Sequence, residues 1–127
     1  MDIELFFQKI NESKISYVHW KSNTNIDKAL NGIDDLDILV SRKDKLKALD
    51  LFNELNIFRG LSIKDSWQKE IFHFYGLDSK NNKLIHIHIH FALELGYDFD
   101  KCFDLPIVDE YLENSVKYKN VFIPQVE

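Results

Sequence analysis

"GIDDLDILV", residues 32–40, runs from an acidic turn straight into a compact apolar segment. A short apolar run after turn residues is typical of a buried strand, so we predict a strand over 36–40. Asp35 and Asp37 are two residues apart at the start of this strand, and side chains alternate between the faces of a strand. The sequence therefore predicts two carboxylates on one face of a sheet.

A pair of carboxylates in this position is a candidate metal site. Same-face neighbours lie about 6.6 Å apart along a strand, and two carboxylates that close repel each other unless a cation lies between them. Mg²⁺ and Mn²⁺ suit such carboxylates, which bind them together with substrate phosphates. The alternative interpretation is that Asp34 and Asp35 belong to a solvated turn and that Asp37 only caps the end of the strand.

Helical and strand periodicities on both sides of this strand predict a mixed architecture. Helices are predicted over 2–12, within 21–32 after an initial loop, over 41–57 and around 108–115, and further strands over 15–20, 69–78 and 83–93 and around 117–123. The turn-rich "SKNN" (79–82) joins two of these strands as a hairpin. The order indicates the α/β (α+β) class, with a mixed β-sheet and helices packed mainly on one face.

Cap residues and apolar spacing define two of the predicted helices. Gly32 is a candidate C-cap for the short helix within 21–32, and Ser41 is a candidate N-cap for the helix over 41–57. The apolar side of that second helix is predicted to consist of Leu46, Leu49, Leu51, Phe52 and Leu55.

Three histidines alternate with isoleucines in "LIHIHIHFALELG", residues 84–96. Their spacing places His86, His88 and His90 on one face of a strand, with His86 and His90 about 13 Å apart. Zinc–nitrogen bonds are only about 2.1 Å long, so one ion can hold two of the three at most, as an i, i+2 pair. The alternative is a partly exposed face whose histidines bond to their neighbours. His19, before Trp20, is expected in the core.

The acidic strand and its surroundings resemble the signature of the DNA polymerase β-like nucleotidyltransferase superfamily. "YVHWKSN" corresponds to the first strand and turn, "TNIDKALNG" to the following helix, and "DDLDILV" to the strand with the D-x-D pair. The resemblance covers roughly residues 2–93. It is closer still to nucleotidyltransferase-like domains of bacterial surface-polysaccharide loci, which share the "WK", a "G-x-x-DLDLLV"-like segment and a histidine-alternating strand before "LG". Some of these are fused to a thymidylate-kinase-like domain, and this chain contains no P-loop.

The resemblance implies roles for named residues. Asp35 and Asp37 match the acids that bind Mg²⁺ or Mn²⁺, grip the triphosphate and activate an acceptor hydroxyl. The turn that contacts the phosphates matches Ser22, with Lys21 and Asn23 beside it. Zn²⁺ also enters as a candidate ion because of the histidines.

Two departures from the family pattern affect this assignment. The usual Gly-Gly or Gly-Ser turn is replaced by Trp20, Lys21 and Ser22, and a backbone without glycine approaches phosphate less closely. The strand that should supply a third acid reads "HIHIH". His88 best matches the third position, where a neutral imidazole could bind metal or accept a proton, and His86 is its candidate partner on the ion. One negative charge fewer shifts the preference from Mg²⁺ towards Mn²⁺ or Zn²⁺.

Composition narrows the choice of partners. The chain has 127 residues, a formal charge of -5 and no dense basic stripe, so nucleic acid is disfavoured as a partner. A single cysteine, Cys102, permits no internal disulfide and is expected to be buried. No signal peptide or membrane-spanning run is present, so we expect a cytoplasmic protein. Residues 1–127 are expected to form one nucleotidyltransferase-like domain, the N-terminal part of a longer protein.

Three functions remain in competition at this point. The first is metal-dependent transfer of a nucleotidyl group from an NTP to a hydroxyl of a small molecule, saccharide or protein. The second is a non-catalytic module that binds a nucleotide or metal for an attached domain, such as a kinase-like one. The third is a transition-metal hydrolase that uses His86 and His88 with an aspartate.

Overall fold

A five-stranded mixed sheet forms the centre of the molecule in the computed structural model, which describes residues 1–60, 70–95 and 103–125. The strands are β1 (Tyr17–His19), β2 (Leu36–Val40), β3 (Phe58–Gly60), β4 (Ile71–Asp78), β5 (Lys83–His90), β6 (Leu93–Leu95), β7 (Phe103–Leu105), β8 (Ser115–Tyr118) and β9 (Val121–Pro124). The helices are α1 (Ile3–Glu12), α2 (Ile26–Leu30), α3 (Lys45–Glu54) and α4 (Val108–Glu113), with 3₁₀ turns at Asn23–Asn25 and Arg42–Asp44. Cys102 lies outside the described residues.

The order of strands in the central sheet is β1-β2-β5-β4-β3. Only the β2–β5 pair is parallel, and the other three pairs are antiparallel. The predicted mixed sheet of the α+β class is therefore confirmed. The pairing of β2 with β5 places the acidic strand beside the histidine strand.

Two apolar clusters cover the two faces of this sheet. On one face, α1, α2 and α3 pack against the isoleucines of β5 and the even-numbered residues of β2. On the other face, a smaller cluster combines Val18, Leu39 and Leu93 with side chains of α4. The helices α1–α3 therefore share one face, whereas α4 lies on the other.

Helix α1 forms where the sequence predicts it. The side chain of Asp2 caps the helix by accepting a hydrogen bond from the backbone N–H of Leu5 (2.7 Å). Helical spacing buries four apolar side chains against the sheet: Ile3, Phe6, Phe7 and Ile10. The cap fixes where the helix begins, and the buried stripe fixes which face it turns inward.

Helix α3 differs from its prediction in phase and in its cap. It begins at Lys45 after a 3₁₀ turn, and the side chain of Ser41 makes no capping hydrogen bond. Ala48, Leu51 and Phe52 form the buried stripe, and Leu46 is 77% exposed. The inclusion of Leu46 in the apolar side is therefore wrong, because it lies about 200° around the helix from Ala48.

The hairpin of β4 and β5 around 79–82 is confirmed, with Asp78 paired to Lys83 at its end. The single strand predicted around 117–123 is wrong, because β8 and β9 form a second hairpin there. Lys119 adopts a left-handed backbone (φ 52°) in the two-residue turn that separates them. In the described part of the chain, no helix combines the length and apolar character that crossing a membrane requires.

Candidate functional site

One face of the central sheet carries a group of polar side chains that we call the histidine face: Asp37 of β2, His73 of β4, and His86, His88 and His90 of β5. Cross-strand partners share a face, and His88 is paired with Asp37 on one side and with His73 on the other. The isoleucines between these histidines point into the helix-covered core. Strand alternation therefore builds the core and the histidine face from the same segment.

Asp37 is the acid of this face, and it is buried, with 6% of its surface exposed. Its Oδ1 lies 3.2 Å from Nδ1 of His88, 3.4 Å from Nζ of Lys21 and 3.8 Å from Nε2 of His90. Burial raises the pKa of Asp37, but the hydrogen bond from His88, the nearby ring of His90 and the charge of Lys21 outweigh burial and hold this pKa well below its usual value. Asp37 is therefore a carboxylate at neutral pH.

Asp35 occupies a different environment from Asp37. It precedes β2, and its side chain is 52% exposed. Its Oδ2 lies 3.1 Å from Nδ1 of His86. Each of the two predicted acids is thus paired with its own histidine, Asp35 with His86 and Asp37 with His88.

His73 joins the site although the sequence analysis did not name it. Its Nδ1 lies 3.1 Å from Nε2 of His86, and its ring centroid is 4.3 Å from that of His88. The sequence contained a usable signal. A hairpin closed by residues 79–82 pairs 78 with 83, and counting back along both strands places His73 opposite His88.

Two overlapping groups of side chains on the histidine face could hold a metal ion. Among the described residues these are His73, His86 and His88, and Asp37, His88 and His90; in each group the ligand atoms lie within 4.8 Å of one another. Each group contains one i, i+2 histidine pair, which agrees with the limit set by strand geometry. Asp35 belongs to neither group.

Buried ring nitrogens on this face lack hydrogen-bond partners within the described chain. They are Nε2 of His88, Nε2 of His90 and Nε1 of Trp20, whose ring meets that of His90 edge-on at 5.1 Å. Buried polar atoms are nearly always paired in folded proteins. An unprotonated imidazole nitrogen without a partner can accept a hydrogen bond or bind a metal, whereas Nε1 of Trp20 carries a proton and can only donate.

The turn after β1 contains the three predicted phosphate contacts. Lys21 extends to Asp37 and lies 5.3 Å from the centre of the Trp20 ring. Ser22 is exposed and has a left-handed backbone (φ 60°). Oδ1 of Asn23 contacts Nδ1 of His19 (2.7 Å). The structure thus brings Lys21 into the site and directs the side chain of Asn23 to His19 instead.

His19 is fully buried, as the sequence predicts. The backbone N–H of Asp37 donates to its Nε2 (3.3 Å), so Nδ1 carries the proton and donates to Asn23. Burial lowers the pKa of His19 and keeps its ring neutral. His19 therefore ties the start of the predicted phosphate turn to the backbone of the acidic strand.

Comparison with known proteins gave no match: no family model, no curated protein and no solved structure matches this chain. Functional conclusions therefore depend on the geometry of the chain's own residues.

Proposed function

We propose that this chain is a metal-dependent nucleotidyltransferase of the DNA polymerase β-like superfamily, which transfers a nucleotidyl group from an NTP to a hydroxyl of a small molecule or saccharide. The observation that carries the proposal is the cross-strand pairing of Asp37 with His88. In the family that the sequence resembles, the third site residue comes from a later strand. Here β5 is the later strand beside β2, and His88 lies level with Asp37.

Two carboxylates, Asp37 on the histidine face and Asp35 at the start of the same segment, support the binding of a hard divalent ion. Asp37 stays ionised, and Asp35 presents an exposed carboxylate at the beginning of the same strand. Mg²⁺ and Mn²⁺ are typically bound by one or two carboxylates together with substrate phosphates. Such an ion neutralises the triphosphate and lowers the pKa of an acceptor hydroxyl.

The protein's own residues support the phosphate side of the site. Nδ1 of His88 donates a hydrogen bond to Oδ1 of Asp37 and thereby orients this carboxylate. The ammonium of Lys21 approaches the same oxygen. The ammonium of Lys21 can leave Asp37 and pair with an incoming phosphate, because this long, flexible side chain is 43% exposed. The acceptor oxygen would then bond to the α-phosphorus as the bond from that phosphorus to pyrophosphate breaks; pyrophosphate leaves and the hydroxyl proton passes to water.

One observation favours a second candidate, a non-catalytic module that binds nucleotide or metal for an attached domain. The predicted phosphate turn contains no glycine, and Lys21 and His88 already compensate Asp37. A carboxylate whose negative charge is already balanced by such neighbours binds a metal ion less strongly. The two candidates differ in turnover: with labelled NTP and saccharide acceptors, the enzyme releases pyrophosphate, whereas the module binds the nucleotide and leaves it intact.

Calorimetric titration of ATP, GTP, CTP and UTP in Mn²⁺ or Mg²⁺ tests the phosphate site directly. We expect at least one nucleotide to bind only when metal is present. Asp37→Asn should weaken this binding by more than about tenfold, because it removes the ionised ligand. Asp34→Asn is the matched control, since it removes the same charge from an exposed residue nearby and should change affinity less than about threefold. Absence of nucleotide binding with both metals would contradict the proposal.

A further inference from the structure

We propose that His73, His86 and His88 form a binding site for a divalent transition metal such as Zn²⁺, and that Asp35 and Asp37 orient two of the three ligands. The site goes beyond the nucleotide site and requires no nucleotide. Its ligands come from two neighbouring strands, β4 and β5. One ring nitrogen of each histidine lies within 4.8 Å of the ligand nitrogens of the other two.

The distances suit a tetrahedral ion. Zinc–nitrogen bonds of 2.0–2.1 Å place neighbouring ligand nitrogens about 3.4 Å apart in tetrahedral geometry. Nδ1 of His73 and Nε2 of His86 are already 3.1 Å apart. The ring of His88 is close to both of these rings, since its centroid lies 4.2 Å from that of His86 and 4.3 Å from that of His73. The ligand nitrogens, now within 4.8 Å of one another, have to approach to about 3.4 Å for an ion to bind.

The two carboxylates determine which nitrogen each ligand presents. Oδ2 of Asp35 faces Nδ1 of His86, and Oδ1 of Asp37 faces Nδ1 of His88. A carboxylate at one ring nitrogen holds the proton there and leaves the lone pair on the other, as in carboxylate–histidine–metal arrangements. In both histidines that other nitrogen is Nε2. In His88 this Nε2 is buried and has no partner among the described residues.

The ligand type selects the ion. Imidazole nitrogens suit Zn²⁺, Cu²⁺ and Ni²⁺, whereas Mg²⁺ and Ca²⁺ prefer oxygen. Three imidazoles with a fourth position open to water or substrate is the arrangement of catalytic rather than structural zinc sites. The three side chains are only partly buried, so solvent reaches part of this group. The ring of Tyr75 stacks on that of His86, with the centroids 4.7 Å apart and the ring planes 6° apart. This stacking fixes the plane of one ligand ring.

The alternative group of Asp37, His88 and His90 fits a metal ion less well. Without a phosphate to draw Lys21 away, the ion would there share Asp37 with the Lys21 ammonium, which lies 3.4 Å from Oδ1 and repels a second cation. His88 would also have to change its tautomer, because its proton would leave Nδ1, the nitrogen that faces the carboxylate, so that Nδ1 could bind the ion. The three-histidine group avoids both costs.

Titration of the metal-free full chain with Zn²⁺ alone tests the site. We expect one ion to bind, and His73→Gln and His86→Gln each to weaken binding by more than about 100-fold. His90→Gln is the matched control, because it removes a histidine of the same face and should change affinity less than about threefold if the three-histidine group is correct. Circular dichroism of each variant checks that the fold is retained.

Two further readouts separate ligands from neighbours. Bound Co²⁺ should give the intense visible spectrum of a four-coordinate ion. Nitrogen NMR of the imidazoles should show protonated Nδ1 and metal-bound Nε2 in His86 and His88. Retained Zn²⁺ affinity in a folded His73→Gln variant, or loss in His90→Gln instead, would overturn the proposal. Because the titration contains no nucleotide, its outcome is independent of whether Asp37 supports nucleotide binding.

Discussion

At the residue scale, Asp37 shows how an acid stays charged while almost fully covered. Lys21, His88 and His90 all approach the same oxygen, Oδ1, and together they outweigh the cost of burying the charge. An Asn at this position keeps the shape of the side chain and removes the charge. For this reason Asp37→Asn separates the electrostatic role of the residue from its packing.

Tyr17 provides a prediction about pH at the same scale. Its buried hydroxyl donates to Oδ1 of Asn11 (2.9 Å), and burial raises its pKa to about 12. Because this folded pKa exceeds the unfolded value of about 10, the stabilisation is complete below pH 10 and is lost as the pH rises through about 12. We expect the free energy of unfolding to fall by on the order of 2 kcal/mol across this window, measured by urea unfolding.

Tyr17→Phe is the control for this prediction. The variant has no hydroxyl to ionise, so its unfolding free energy should depend less on pH between about 10 and 12. It should also be less stable at neutral pH by about 1 kcal/mol, because the bond to Asn11 is lost. An equal alkaline fall in both proteins would show that other groups are responsible.

At the scale of the elements, burial separates two helix residues that are both strongly apolar in the sequence. Phe6 of α1 is fully buried against Phe7 and Phe52, whereas Leu46 of α3 is 77% exposed. Phe6→Ala should lower the free energy of unfolding by about 3–5 kcal/mol through lost contacts and a cavity. Leu46→Ala should change it by less than about 0.5 kcal/mol. Chemical denaturation measures both, and a larger effect at Leu46 would contradict the phase of α3.

Local patterns were sufficient for some elements and insufficient for others. Helix α1, strand β2 and the β4–β5 hairpin each carry their own periodicity or turn residues, and the sequence predicted all three. Strand β3 was missed because its three residues pair with β4, from Phe58 to Tyr75, and carry no period of their own. The phase of α3 was missed because Leu46 is as apolar as the buried residues, and only packing of Ala48, Leu51 and Phe52 against the sheet decides which side turns inward.

At the scale of the whole molecule, the site depends on one long-range pairing. Asp37 and His88 are 51 residues apart in sequence and become neighbours because β2 and β5 pair in parallel. The sequence predicted Asp35, Asp37, His86 and His88 as candidates, since strand alternation alone places each pair on one face. It did not predict which acid pairs with which histidine, because that depends on the register between strands.

The arrangement of the two apolar clusters predicts that the described strands and helices unfold together. Phe122 of β9 packs against both clusters, on opposite faces of the sheet, and Val121 beside it is 1% exposed. The β8–β9 hairpin is therefore part of the core, although it pairs with no strand of the central sheet in the described chain. Domains of this size generally unfold in one cooperative step.

Urea titration followed by backbone amide NMR tests this cooperativity. Amide signals of β2 and of β9 should disappear at the same urea concentration. Val121→Ala should lower both midpoints equally, by on the order of 2 kcal/mol in unfolding free energy, because the cavity it leaves lies in the core that both elements share. Separate midpoints, with β9 lost first, would show that the hairpin is an independent unit. The packing of Phe122 against both clusters would then contribute little to holding the central sheet together.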